Sequence, residues 1–253
     1  RHETGLQHDV RQLSIRSYSV DDPFRTAIPV TRAGMIITID GPAGTGKSTA
    51  ARGLAERLGF AYLDTGAMYR AVGFACLQRG VDPADPAASA SLAMTIDIHV
   101  DGRETRLDGV DVTDAIRSPE ATAAASIVAQ NPAIRSRLVE LQRRIAADGN
   151  YVCEGRDQGT VVFPQAEAKF FVTAAPEVRA ERRRKELEER GETISLAEML
   201  AQQDERDRRD QERDVAPLRP AADAVSIDTS NLSTDEVIAH MVADLAERGL
   251  VCG

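Results

Sequence analysis

The chain has 253 residues, 42% of them hydrophobic, and a formal net charge of −9, which gives room for one large domain, with or without an insert. The acidic balance argues against a nucleic-acid coat protein and against a binder of anionic membranes. No apolar run approaches the ~18 residues that a membrane span requires.

Residues 1–34 are polar, show no sustained period and carry no secretory pattern, so a loosely ordered extension is expected there. The first clear element is the β-branched run from Met35 to Asp40, a predicted strand. It runs straight into Gly41, Pro42, Ala43, Gly44, Thr45, Gly46, Lys47, Ser48 and Thr49, and a helical stretch from Thr49 to Leu58 follows, stopped by Gly59. This is G-x-x-x-x-G-K-[ST] with the strand before it and the helix after it that the motif requires. Gly41, Gly44 and Gly46 let successive N–H groups converge on one anion, and the helix start adds its own free amides and positive dipole end. Lys47 then reaches the β- and γ-phosphates, and the Ser48 hydroxyl sits on Mg²⁺. The stretch predicts a nucleoside-triphosphate site.

A second short strand, Phe60 to Leu63, leads to Asp64-Thr65-Gly66 and a helix from Ala67 to Arg79, with Pro83 and Pro86 marking a loop. Met94 to Val100 alternates, Asp101-Gly102 is a turn, and Glu104 to Leu107 pairs back, a small antiparallel patch inside a βαβ chain. Two helices follow, about Glu120 to Ala129 and, behind the Asn131 cap and Pro132, to about Ala147. Tyr151 to Glu154 and Lys169 to Thr173 are strands, and Pro176 to Arg213 is a highly charged pair of helices parted near Gly191. Ala224 to Asp228 is a last strand, and Ser233 to Glu236 is a capping box opening the last helix. Strands alternating with helices predict a parallel, helix-covered sheet.

A P-loop identifies a triphosphate but not a reaction. No Asn/Thr-Lys-x-Asp box is present to read guanine. Arginines do stand at the ends of elements: Arg70, Arg135, and Arg156 beside Asp157 behind a strand, where open α/β sheets place ligand contacts. In the run Glu205 to Arg213, Arg206, Arg209, Asp210 and Arg213 share one helix face, which suits a ligand carrying phosphate and hydroxyls. The same run also reads as a solvated helix, since Glu205–Arg209 and Arg206–Asp210 are (i, i+4) pairs, and both readings stay open here. Cys76, Cys153 and Cys252 are widely spaced and read as reduced thiols. His2, His8, His99 and His240 are too scattered for a zinc site, leaving Mg²⁺ as the only expected metal.

Together GPAGTGKST, DTGAMYR at 64–70, GRDQGTVVFP at 155–164 and ERDRRDQERDVAPLRPAADA at 205–224 resemble bacterial cytidylate kinase, a P-loop nucleoside monophosphate kinase, over about residues 35–248. The resemblance implies γ-phosphoryl transfer from ATP to CMP or dCMP, on a five-stranded parallel sheet flanked by helices. It also implies an inserted monophosphate-binding subdomain at about 81–147, with core and helical lid at 35–80 and 148–250. It places Thr65, Arg70, Arg156 and Arg206 at the acceptor phosphate, and Ser126, Arg135 and Asp157 at cytosine. Asp210 would face the sugar, Arg213 the acceptor or the moving phosphoryl, and Arg182 with its neighbours the ATP under the lid. Lys47, Arg182, Arg206 and Arg213 are thus the expected catalytic set. The expected protein is a cytoplasmic monomer that meets ATP and CMP or dCMP, and neither a nucleic-acid polymer nor a membrane. Another P-loop kinase (for UMP, AMP or shikimate) and a non-catalytic ATP-binding module remain as alternatives.

Overall fold

The computed structural model describes residues 28–31, 34–189 and 191–252. Five strands form one parallel sheet: β1 (Ile36–Asp40), β2 (Ala61–Asp64), β6 (Tyr151–Gly155), β7 (Ala168–Thr173) and β8 (Val225–Asp228), in the order β2-β6-β1-β7-β8. Strand order therefore reverses at β1, and the crevice beyond the carboxyl ends of such a sheet is where ligands collect. The β1 core is apolar on both faces because helices cover both. On one side α1 (Lys47–Leu58) and α8 (Thr234–Glu247) pack over Ile37, Ile39, Val152, Phe170 and Val172. On the other, α2 (Thr65–Gln78) and α5 (Pro132–Ile145) bury Leu63, Met68, Val72, Leu138 and Cys153.

Between α2 and β6 lie α3 (Pro86–Thr95), the three-stranded antiparallel sheet β3 (Ile98–Asp101), β4 (Glu104–Leu107) and β5 (Val110–Asp111), and α4 (Pro119–Val128). Ile98, Val100 and Leu107 face inward, alternating with exposed neighbours as a half-buried sheet should. They join the same apolar cluster as α2 and α5, so the insert shares a core with the main sheet.

α3 corrects the sequence reading, which placed a loop at Pro86 and began a strand at Met94. Asp85 caps the helix by accepting from the Ala87 and Ala88 amides, and Pro86 takes the first helical position. The alanine-rich stretch behind it has high helix propensity, so the strand begins only at Ile98. The charged region folds as α6 (Pro176–Glu188) and α7 (Leu196–Glu212), the latter opened by a Ser195–Glu198 capping box. These two helices meet over a small cluster of their own, Ala180, Leu187 and Met199.

Of the segment before Met35, residues 1–27, 32 and 33 lie outside the described residues. Ile28 and Val30 pack on the α1–α8 core, Val30 bridges Val251, and the Ile28 amide donates to Arg57 O at 2.9 Å. This end of the extension is thus tied to the domain. No described helix is long and apolar enough to cross a membrane.

Candidate active site

The site grows from the carboxyl ends of β1, β2 and β6. Beyond β1 the chain turns back on itself through Gly41, whose φ of +152° brings it against β7. A Cβ there would stand 2.1 Å from the Val172 carbonyl oxygen, so only glycine fits. Gly46, at φ +83°, then starts α1 with no side-chain cap, leaving its first amides open. Lys47 Nζ donates to Pro42 O at 2.9 Å, and the Thr45 hydroxyl donates to the same oxygen at 3.1 Å. Burial, and then the nearby Arg156 guanidinium, lower Lys47 to about 7. A buried ammonium held against its own charge is poised to be recharged by an arriving polyphosphate.

A cleft of about 250 Å³ opens in front of this loop. Eight cationic side chains and five carboxylates line it, a local cationic excess in a chain of net −9. Such a cleft selects anions. Ala43, Gly44, Gly46, Lys47, Ser48 and Thr49 form one end. Arg70 enters from α2, its guanidinium held by Asp64 at 2.8 Å, and the other Asp64 oxygen caps α2 at the Ala67 amide. Arg156 Nε donates to Asp210 at 2.8 Å. Although burial works against it, Arg156 and then Arg206 hold the Asp210 carboxyl below its ordinary range. Arg206 makes no ion pair among the described residues; burial and Arg156 lower it to about 10. Arg213 donates through Nε to Ala216 O, and its Nη2 is buried without a partner. Ala216 sits at φ +54°, a left-handed conformation that costs a non-glycine residue, and its carbonyl is the one that meets this arginine.

At the far end Arg135 and Asp157 form an ion pair in which each side chain is 4% exposed. Arg135 also donates to Ala129 O at 3.2 Å and lies 5.7 Å over the Tyr69 ring. Ser126 lines the cleft beside them.

Residues 37–247 match the family described as Cytidylate kinase. The chain belongs to the cytidylate kinase family. A cytidylate kinase from Pelotomaculum thermopropionicum is 52% identical over 82% of this chain and 94% of that protein. One from Desulfitobacterium hafniense is 47% identical over 85% of this chain and 95% of its own. Among solved structures, a shikimate kinase from Acinetobacter baumannii shares 14% identity over 85% of this chain and 95% of that one, with a TM-score of 0.41.

Within this cytidylate kinase family chain, most residues expected at the site do line the cleft, and the exceptions have plain causes. Gly41, Pro42 and Thr45 shape the loop from behind. Arg182 is turned away: its guanidinium donates to the Thr229 hydroxyl and carbonyl at 3.1 and 2.7 Å, and Arg183 lines the cleft instead. Thr65 lines the cleft, but its hydroxyl donates to Glu154 O at 2.6 Å and so is not free to reach a phosphate. The two readings of α7 divide between its faces. Glu205, Arg208, Arg209 and Glu212 form the solvated salt-bridge face, while Arg206, Asp210 and Arg213 line the cleft. Arg209 thus leaves the grouping expected for it, drawn to Glu205, with its remaining contact to Ser126 at 3.3 Å.

Sequence reasoning assigned no role to Glu154. It ends β6 beside the P-loop, accepts from the Tyr62 hydroxyl at 2.6 Å, and leaves Oε2 buried with no partner. Burial and then Asp64 push its carboxyl up, against the pull of Lys47. Its place at a strand's carboxyl end, one residue before the Gly155-Arg156-Asp157 run, was the available signal.

Proposed function

We propose that this chain transfers the γ-phosphoryl group of ATP to CMP or dCMP, giving ADP and CDP or dCDP. One observation carries the reading: a single cationic cleft joins Lys47 of the P-loop to the buried Arg135–Asp157 pair. The distance between nucleotide ends matters less here than their chemistry. Lys47 and the α1 amides suit the triphosphate, and Arg70, Arg156 and Arg206 suit the acceptor phosphate. Asp157 is an acceptor for the cytosine N4 amine, and Arg135 a donor to the base's N3 or O2. Uracil presents a carbonyl where cytosine presents that amine, so the same carboxylate repels it. Asp210 and Ser126 line the space for the sugar and the base, and residues 81–147 form the acceptor-binding unit.

Phosphoryl transfer asks the protein mainly to hold two substrates in line and to stabilise charge on the moving group. Lys47, Arg206 and Arg213 supply that charge in a site shielded from water, where it acts most strongly. The α6–α7 pair, packed on its own small cluster, moves as a lid that brings Arg183 over the ATP and excludes water. The donor set fits Mg²⁺ brought by the nucleotide: the Ser48 hydroxyl and the orphaned Glu154 Oε2 line the same end of the cleft. No group of three or more metal-binding side chains is found among the described residues. Ser48 and Glu154 would hold the ion, which would supply charge neutralisation for the transferring phosphoryl group. The reading takes the chain as a cytoplasmic monomer, in keeping with free thiols at Cys76, Cys153 and Cys252.

The test is ADP release measured with CMP, dCMP, UMP, AMP and shikimate as acceptors. CMP and dCMP are expected to show the highest kcat/KM. Preference for another acceptor, or ATP binding with no acceptor-dependent turnover, would overturn the reading.

A further inference from the structure

Asp40 is the last residue of β1, and Gly41 next to it opens the ATP loop. Its side chain is buried, 4% exposed as a residue, and it makes no ion pair with any described residue. Instead each carboxylate oxygen accepts one main-chain N–H from a distant segment. Oδ1 takes the Gln158 amide and Oδ2 the Gly159 amide, both at 2.8 Å. These amides open a π-helical turn, Gln158–Val162, and the first amides of such a turn have no partner within it. At the same turn the Asp157 carbonyl accepts from the Val161 and Val162 amides at 2.9 and 3.2 Å.

The chain around Arg156 and Asp157 is therefore pinned on both sides by one residue. Before them, Gly155 pairs with Asp40 in the β1–β6 ladder. After them, Gln158 and Gly159 are held by the Asp40 side chain. A carboxylate is the group for this task because it offers two acceptors and no donor. Asparagine would offer one acceptor and turn its NH₂ toward an N–H.

We propose that Asp40 is a positioning residue for the acceptor nucleotide: it caps the turn behind Asp157 and so aims Arg156 and Asp157 at the nucleoside monophosphate, in register with the ATP loop. This rests on the roles given above to Arg156 and Asp157. The link runs from the residue before the P-loop to the residue after the base-reading carboxylate, so the two substrate sites share one rigid joint.

The test uses the full chain carrying Asp40→Asn, with Asp40→Ser as the second variant should the first not fold. Hydrogen exchange reads the joint directly, whatever the substrate proves to be. The Gln158 and Gly159 amides are expected to lose protection by ~10-fold or more while those of β1 and α1 keep theirs. In kinetics, KM for CMP is expected to rise by ~10-fold or more and the CMP/UMP ratio of kcat/KM to narrow, while Kd for ATP moves by less than about threefold. Unchanged protection at the two amides would overturn the proposal. So would an equal loss of ATP and CMP binding, which is what a merely structural carboxylate under the P-loop would give. Faster exchange at both amides with an unaltered CMP/UMP ratio would also overturn the positioning role; if Asp157→Asn leaves the ratio unaltered too, the fault lies in the base-reading assignment itself.

Discussion

Replacing Asp157 strikes stability and base selectivity together, and the structure sets the size of each effect. The carboxylate is paired with Arg135, and both side chains are 4% exposed. Asp157→Ala leaves a buried guanidinium without its counter-charge, a change that costs about 3–5 kcal/mol in general. Arg135 keeps the Ala129 carbonyl and the Tyr69 ring, which places this case near the lower end. At roughly 2–4 °C per kcal/mol for a domain of this size, the melting temperature should fall by roughly 6–12 °C. Asp157→Asn keeps an acceptor oxygen and the shape, and should lose about half as much, on the order of 1–2 kcal/mol. Because Asn also carries a donor, it can accept from the cytosine amine or donate to the uracil carbonyl. The ratio of kcat/KM for CMP over UMP should therefore narrow by at least ~10-fold, or about 1.4 kcal/mol, in the folded variant. Calorimetry and coupled ADP release on the same preparation measure both quantities. A loss of activity equal for CMP and UMP would refute the base-reading role and leave Asp157 as a structural partner of Arg135. A melting temperature within a degree or two of the parent in Asp157→Ala would refute the buried pair itself.

Lys47→Ala should lower kcat by on the order of 10²-fold or more with no loss of melting temperature, and near-normal turnover would remove Lys47 from the mechanism. With burial and then Arg156 lowering Lys47 to about 7, it should be largely neutral at pH 8 and take up a proton when a triphosphate arrives. Calorimetry of ATP binding at that pH in two buffers of different ionisation enthalpy should show uptake approaching one proton, lost in Lys47→Ala; no uptake would contradict the assignment. Arg206→Ala should lose several kcal/mol of transition-state binding, by analogy with roughly 2.7–4 kcal/mol for one lost transition-state donor, with melting unchanged or slightly raised, because like charge surrounds it. Matching small losses in rate and stability would return this face of α7 to a solvated surface. A chain beginning at Met35 should melt several degrees lower than one beginning at Ile28, since it gives up the packing of Ile28 and Val30, about 1–3 kcal/mol. Equal melting would show that those contacts contribute nothing.

What the sequence determined by itself was governed by neighbours along the chain. The strand–loop–helix around Gly41 to Thr49, the Asn131 and Ser233 caps and the glycine stop at Gly59 all follow from local dihedral and capping preferences. Even the miss at Pro86 was a local matter, a proline read as a loop where it served as a helix's first residue. The choice of partners was different. Arg156 has a carboxylate directly beside it in Asp157, yet pairs with Asp210, 54 residues away, while Asp157 turns to Arg135, 22 residues back. Asp40 reaches 118 residues to the Gln158 amide, and Arg182 is lost to Thr229 while Arg183 takes the cleft. An α-helix turns each residue by about 100° from the last, so whether Arg182 or Arg183 meets the ligand depends on how α6 is rotated against the sheet. That rotation is set by the burial of Ala180, Leu187 and Met199 and by the Arg179–Asp207 pair, contacts between separate elements that exist only once the chain has closed.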